Sequence, residues 1–132
     1  MFSVRVEEYF SAAHFLSDYH GKCERLHGHN YRVRVTVKGS KLDKGGMLLD
    51  FGIIKKKLRE IIGLYDHMNL NECEDFRDGN PSAERIAYSI YKRLSPFIDE
   101  AQNGRASHGS NFTIEKVEVF ETDKNLAAYM PD

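Results

Sequence analysis

The spacing of apolar residues changes period along the chain, and this limits the possible folds more than any other feature. Phe2, Val4 and Val6 alternate with Ser3, Arg5 and Glu7, and Val33, Val35 and Val37 alternate with Arg32, Arg34, Thr36 and Lys38. Period two predicts two strands, each with one buried face. After the Gly45-Gly46 break and the short apolar stretch from Met47 to Asp50, the spacing becomes helical. From Phe51 onward, Ile54, Leu58, Ile61 and Ile62 recur on one face, with Asp50 placed to cap the first turn. Asn80 before Pro81, followed by Glu84, signals a second helix start. Its stripe is Ile86, Ala87, Ile90, Tyr91 and Leu94, and the pattern extends past Pro96 toward Asn103-Gly104. From Phe112 to Glu121, Phe112 and Ile114 stand in opposite phase to Val117 and Val119. That predicts a strand with an irregularity near Glu115 or Lys116. Asn125 to Met130 supplies a short fourth strand. The expected order is ββααββ, an α+β arrangement.

Length and charge narrow the function classes. At 132 residues the chain suits one domain, and no repeat, linker or low-complexity tract divides residues 1–132. Lys and Arg number 19 against 20 Asp and Glu, a balance of -1 that argues against nucleic acid or an anionic membrane as the main partner. No apolar run approaches the roughly 20 residues of a membrane helix. The start Met1-Phe2-Ser3-Val4-Arg5 lacks a basic segment followed by an apolar stretch, so a cytoplasmic protein without a signal peptide is expected. Cys23 and Cys73 are then expected to be free thiols.

The segment from Cys23 to Tyr31, Cys-Glu-Arg-Leu-His-Gly-His-Asn-Tyr, carries the most chemistry. In an extended chain His27 and His29 project from one face, with Gly28 leaving room for close approach. His14, at the end of the first strand, offers a third imidazole. Three neutral imidazoles at about 2.0 to 2.1 Å suit Zn²⁺ and leave a fourth position for water or substrate, whereas an isolated His-x-His pair occurs on polar turns by chance about as often as it binds metal. Cys23 has three readings: a small buried apolar residue, a thiolate base or nucleophile activated by a nearby cation, or a fourth ligand closing the site. Asp66-His67 sets a carboxylate beside an imidazole, a pairing that more commonly belongs to a solvated loop. Glu121, ending the third strand, can accept two parallel hydrogen bonds from a guanidine-like ring edge. Cys73, His20 and His108 receive no role.

These pieces occur in a known order. Phe10-Ser11-Ala12-Ala13-His14, Cys23-x-x-x-His27-Gly28-His29-Asn30-Tyr31, Leu49-Asp50-Phe51, Asp66-His67-x-x-Leu70-Asn71, Asn80-Pro81-Ser82-Ala83-Glu84 and Phe120-Glu121-Thr122 together span about the whole chain. The sequence resembles the 6-pyruvoyltetrahydropterin synthase and 6-carboxytetrahydropterin synthase family. The resemblance implies a T-fold, a four-stranded antiparallel sheet with two helices on one face. It implies trimers whose sheets close into a barrel, usually stacked as hexamers, with active sites between subunits. Closure pairs the exposed sheet edges of so small a domain. The implied substrate is 7,8-dihydroneopterin triphosphate. By motif, His14, His27 and His29 would hold zinc, Cys23 would abstract a proton, Asp66 and His67 would form a catalytic relay, and Glu121 would anchor the pterin and join that relay. Ser82 and Glu84 match a pterin-contacting helix start. The three-residue gap of Glu24, Arg25 and Leu26, and Leu49-Asp50-Phe51, resemble the 6-carboxytetrahydropterin branch of queuosine precursor synthesis. Glu121-Thr122-Asp123-Lys124-Asn125 looks more like the pyruvoyl branch, and Ala83 departs from the hydroxyl residue common in both. A zinc-dependent lyase forming 6-carboxy-5,6,7,8-tetrahydropterin is expected. The alternatives are the pyruvoyl synthase and a non-catalytic zinc or pterin-binding module.

Overall fold

A computed structural model describes residues 1–18, 21–104 and 109–132, so His20 and His108 lie outside the described residues. Strands β1 (Phe2–His14) and β2 (His27–Gly39) are followed by helices α1 (Phe51–Ile62) and α2 (Ala83–Asn103), then strands β3 (Thr113–Phe120) and β4 (Leu126–Tyr129). The sheet is antiparallel in the order β1-β2-β3-β4. This is the expected ββααββ arrangement, with α1 packed against β1 and α2 against β3 and β4. No described helix is long and apolar enough to cross a membrane.

Alternation sorts the sheet into two faces. Val4 opposes Val37, Val6 opposes Val35 and Phe10 opposes Tyr31, so these side chains share the face turned to the helices. Val33, Val35, Val37, Ile54, Leu58, Ile86, Ile90 and Leu94 are fully buried between the layers. Each such side chain contributes on the order of 1.5–3 kcal/mol relative to leaving it in water. The same face continues to Ala12 opposite His29 and His14 opposite His27. One end of a hydrophobic layer therefore carries the imidazoles.

The predicted irregularity in β3 is a bulge: Thr36 opposes Lys116 and Val37 opposes Ile114, leaving Glu115 without an opposite residue. The extra residue returns Ile114 to the buried face despite its shifted phase. Asp50 caps α1 as expected, its carboxylate accepting from the Gly52 N–H at 2.8 Å. Helix α2 runs through exposed Pro96 to Asn103. Its start differs from the expectation. Ser82 is the N-cap, its hydroxyl accepting from the Arg85 N–H at 3.2 Å, because the Asn80 side chain is spent on the backbone of Ser17.

Candidate active site

His14 and His27 are directly opposed across β1 and β2, and His29 is two residues along the same face. Their ligand-capable nitrogens lie within 4.8 Å of one another, and among the described residues this is the one group of at least three His, Cys, Asp or Glu side chains so arranged. Cys23 is not part of it.

Hydrogen bonding fixes the rings. His14 Nδ1 lies 2.8 Å from the carbonyl of buried Pro81, and His27 Nδ1 lies 2.8 Å from the Arg25 carbonyl. A carbonyl only accepts, so each Nδ1 carries the proton and each Nε2 is a bare lone pair. These two Nε2 atoms face one another at 3.0 Å. Two lone pairs at that separation repel unless a proton or cation lies between them. Burial pushes the His14 pKa down, and the neighbouring His27 pushes it further, although the Pro81 carbonyl opposes them. The His29 pKa is also lowered, chiefly by burial, with Glu121 opposing. A proton between the rings is therefore disfavoured. His29 Nε2 is buried without a hydrogen bond; Glu121 Oε2 is within ion-pair range at 3.2 Å but not aligned to accept one. For His14 and His27, bare, facing nitrogens with the other ring nitrogen held by a carbonyl are the arrangement that metal-ligating histidines adopt. The residues fit a metal ion.

Tyr31 extends the His27, His29 alternation and is fully buried on the same face, its hydroxyl 3.2 Å from His14 Nδ1 and its ring stacked on Phe10. Sequence analysis assigned it no role, although period two places it beside the histidines. Pro81 was missed altogether, since nothing in the sequence pairs position 81 with position 14.

The other candidates are placed around this cluster. Cys23 sits half-buried in a single 3-10 turn (Lys22–Glu24), and its carbonyl accepts from the Leu16 N–H at 2.7 Å. Glu121 follows β3, in a turn closed by its N–H donating to the Asn125 carbonyl and by Thr122 Oγ1 accepting from Lys124 and Asn125. Ser82 is occupied as a cap, while Glu84 is exposed in the first turn of α2. Asp66 and His67 lie on the outer edge of β1. Asp66 Oδ1 accepts from the Ser11 N–H at 2.9 Å, and Asp66 Oδ2 is 3.0 Å from His67 Nδ1. The Ser11 bond, and secondarily His67, hold the Asp66 pKa below its ordinary value. His67 has φ +60° and an 81% exposed side chain, a left-handed conformation that costs of order 1–2 kcal/mol outside glycine. One chain thus brings His14, His27, His29 and Glu121 together, but leaves His67 facing solvent. Gly28 is a correction: a Cβ there would meet only the Ala12 carbonyl, at an ordinary 3.5 Å, so this chain does not itself demand glycine. Gly28 instead lines an open cleft of about 470 Å³ with Ser11, Ala13, Asn30 and His67.

Comparison with known proteins assigns the lineage. The family model described as 6-pyruvoyl tetrahydropterin synthase matches residues 3–132. The chain belongs to that family. A Bacillus subtilis protein named 6-carboxy-5,6,7,8-tetrahydropterin synthase is 35% identical, covering 98% of this chain and 86% of its own length. A Synechocystis protein of the same name is 36% identical over 98% of this chain and 93% of its own. The solved structure of Caenorhabditis elegans 6-pyruvoyl tetrahydropterin synthase superposes with a TM-score of 0.80 at 27% identity, covering 99% of this chain and 96% of that one. The fold of this family member is the T-fold.

Proposed function

We propose that this chain is a zinc-dependent 6-carboxy-5,6,7,8-tetrahydropterin synthase, converting 7,8-dihydroneopterin triphosphate with release of acetaldehyde and triphosphate. The observation that carries the reading is the pair of bare, facing Nε2 atoms on His14 and His27, with His29 beside them. The family and the names of relatives at 35–36% identity support the choice of reaction.

His14, His27 and His29 would hold Zn²⁺, three neutral nitrogens leaving a position open. A zinc ion held there would supply Lewis acidity to the reaction. Cys23 is the proton-abstracting base. Asp66 Oδ2, 3.0 Å from His67 Nδ1, orients the ring so that its other nitrogen is available for proton relay. Glu121 anchors the pterin by accepting parallel hydrogen bonds from its ring edge, and Ser82 and Glu84 contact the pterin at the start of α2. The exposed position of His67 on the β1 edge supports a site completed between subunits of a homotrimer or hexamer, each subunit a single domain of residues 1–132. No nucleic acid or membrane is a partner, and the protein works in the cytoplasm.

Incubation of the zinc-loaded protein with 7,8-dihydroneopterin triphosphate tests the reading. Triphosphate and acetaldehyde in equal amounts are expected. Triphosphate without acetaldehyde transfers the protein to the pyruvoyl synthase, and neither product leaves a binding module. Cys23→Ala separates base from ligand: a base variant keeps its zinc and loses turnover by about 10² to 10⁴. A variant that loses zinc and stability together makes the thiol a ligand.

A further inference from the structure

Residues 11 to 17 comprise the end of β1 and the three residues after it, with alternate backbone groups addressing opposite sides. On the β2 side, past the end of the ladder at the His14–His27 pair, the Leu16 N–H donates to the carbonyl of Cys23 in the 3-10 turn. On the other side, Ser11 bonds to Asp66 and His67, and the Ala13 N–H donates to the Met68 carbonyl at 3.0 Å. Phe15 and Ser17 then meet side-chain amides. Asn71 Oδ1 accepts from the Phe15 N–H at 2.9 Å while its Nδ2 donates to the Phe15 carbonyl at 3.0 Å. Asn80 Oδ1 accepts from the Ser17 N–H at 2.8 Å while its Nδ2 donates to the Ser17 carbonyl at 2.9 Å. A primary amide presents a donor and an acceptor much as a peptide group does. Each asparagine therefore takes the place of one residue in a missing strand.

We propose that Asn71 and Asn80 are positioning residues that pin the backbone of Phe15 and Ser17 and, through the Leu16–Cys23 bond, fix the segment carrying the catalytic thiol. The proposal rests on the reading of Cys23 as the base. A three-residue 3-10 turn has little stability of its own, so bonds from outside determine where Cys23 sits. Asn80 also precedes Pro81, whose carbonyl orients His14. The clamp thus links the thiol segment to the partner of a metal-binding imidazole. Both asparagines stand in motifs singled out in the sequence, yet neither has a role in the proposed chemistry.

Asn71→Asp and Asn80→Asp keep the size and the acceptor but set an oxygen against a carbonyl oxygen where the amide donated. Four readouts on the zinc-loaded full chain, in a Cys73→Ser background, test the clamp: kcat, KM, zinc content and the rate of Cys23 alkylation by iodoacetamide. The expected result is a kcat lower by about 10²-fold, as for an angstrom-scale misplacement, with KM within about twofold and zinc retained. Alkylation of the loosened thiol is expected to rise about threefold or more, since access controls its rate. Unchanged alkylation overturns the proposal, whether or not kcat or zinc falls. Faster alkylation with unchanged kcat upholds the clamp and instead refutes Cys23 as base, a conclusion that full turnover by Cys23→Ala would establish independently. If an Asp variant fails to fold, Asn71→Ser and Asn80→Ser, which remove the donor without adding the repulsion, are judged by the same alkylation criterion.

Discussion

His27 and His29 show what one residue's environment owes to local sequence. Period two alone puts both imidazoles on one face, and register then sets His14 opposite His27. The tautomers could not be read that way, because the Pro81 carbonyl that orients His14 is 67 positions distant. Replacing His27 or His29 by alanine removes one of three nitrogens. Elemental analysis should show zinc falling from about one per chain, with an affinity loss exceeding the roughly 10–100-fold that outer partners cost. Acid should act on the same residues. His14 and His29 have folded-state pKa values below the ordinary one, so folding favours their neutral forms. Their contribution is present above the unfolded value of about 6.5 and is lost as pH falls through the folded values. The metal-stripped protein should therefore melt at progressively lower temperature from pH 7 to pH 5, and His14→Gln should flatten that slope.

Elements were legible where their signals were local. The phase reversal between Ile114 and Val117 identified a bulge near Glu115 or Lys116, which the register places at Glu115, and Asp50 identified the start of α1. The start of α2 was misread because a tertiary bond competed for Asn80, leaving Ser82 as cap. Asp75 is another connection that spacing did not reveal. It joins the segment after α1 to α2, accepting from Tyr65 Oη at 2.6 Å, Ser89 Oγ at 2.9 Å, and Arg93 through Nε at 2.8 Å and Nη2 at 2.7 Å. The Arg93 guanidinium, helped by the Tyr65 and Ser89 hydroxyls, holds the Asp75 carboxyl well below the usual carboxylate range. Asp75→Ala should cost about 2–3 kcal/mol in urea denaturation at pH 7, a loss set by charged hydrogen bonds left unmade. The depressed pKa means this stability is present above about pH 3.9 and is lost as pH falls toward the folded value. Wild type and variant should converge in strong acid.

At the scale of the whole molecule, β1 and β4 are both edge strands. Among the described residues, the outer β1 edge is covered only from Ser11 onward, by Asp66 to Met68, with the two asparagines continuing past its end. On the side away from β2, the stretch from Phe2 to Phe10 has no strand beside it among the described residues, which supports pairing with a second subunit. Odd-numbered residues there direct their N–H groups outward, as Ser11 and Ala13 do. Arg5→Pro removes one such donor without touching the β1–β2 ladder, and should shift the protein from trimer or hexamer toward monomer in size-exclusion chromatography with light scattering. The expectation of assembly came only from the family resemblance, because an open edge becomes visible only once strand order is known.

The most direct test of the account is to titrate Zn²⁺ into metal-stripped protein while following 7,8-dihydroneopterin triphosphate turnover by mass spectrometry. The account predicts no turnover before zinc is added. It then predicts 6-carboxy-5,6,7,8-tetrahydropterin formation rising linearly and breaking at one zinc per chain, as three histidines per chain require. Full turnover by the stripped protein, or a titration that His14→Ala, His27→Ala and His29→Ala leave unchanged, would contradict it.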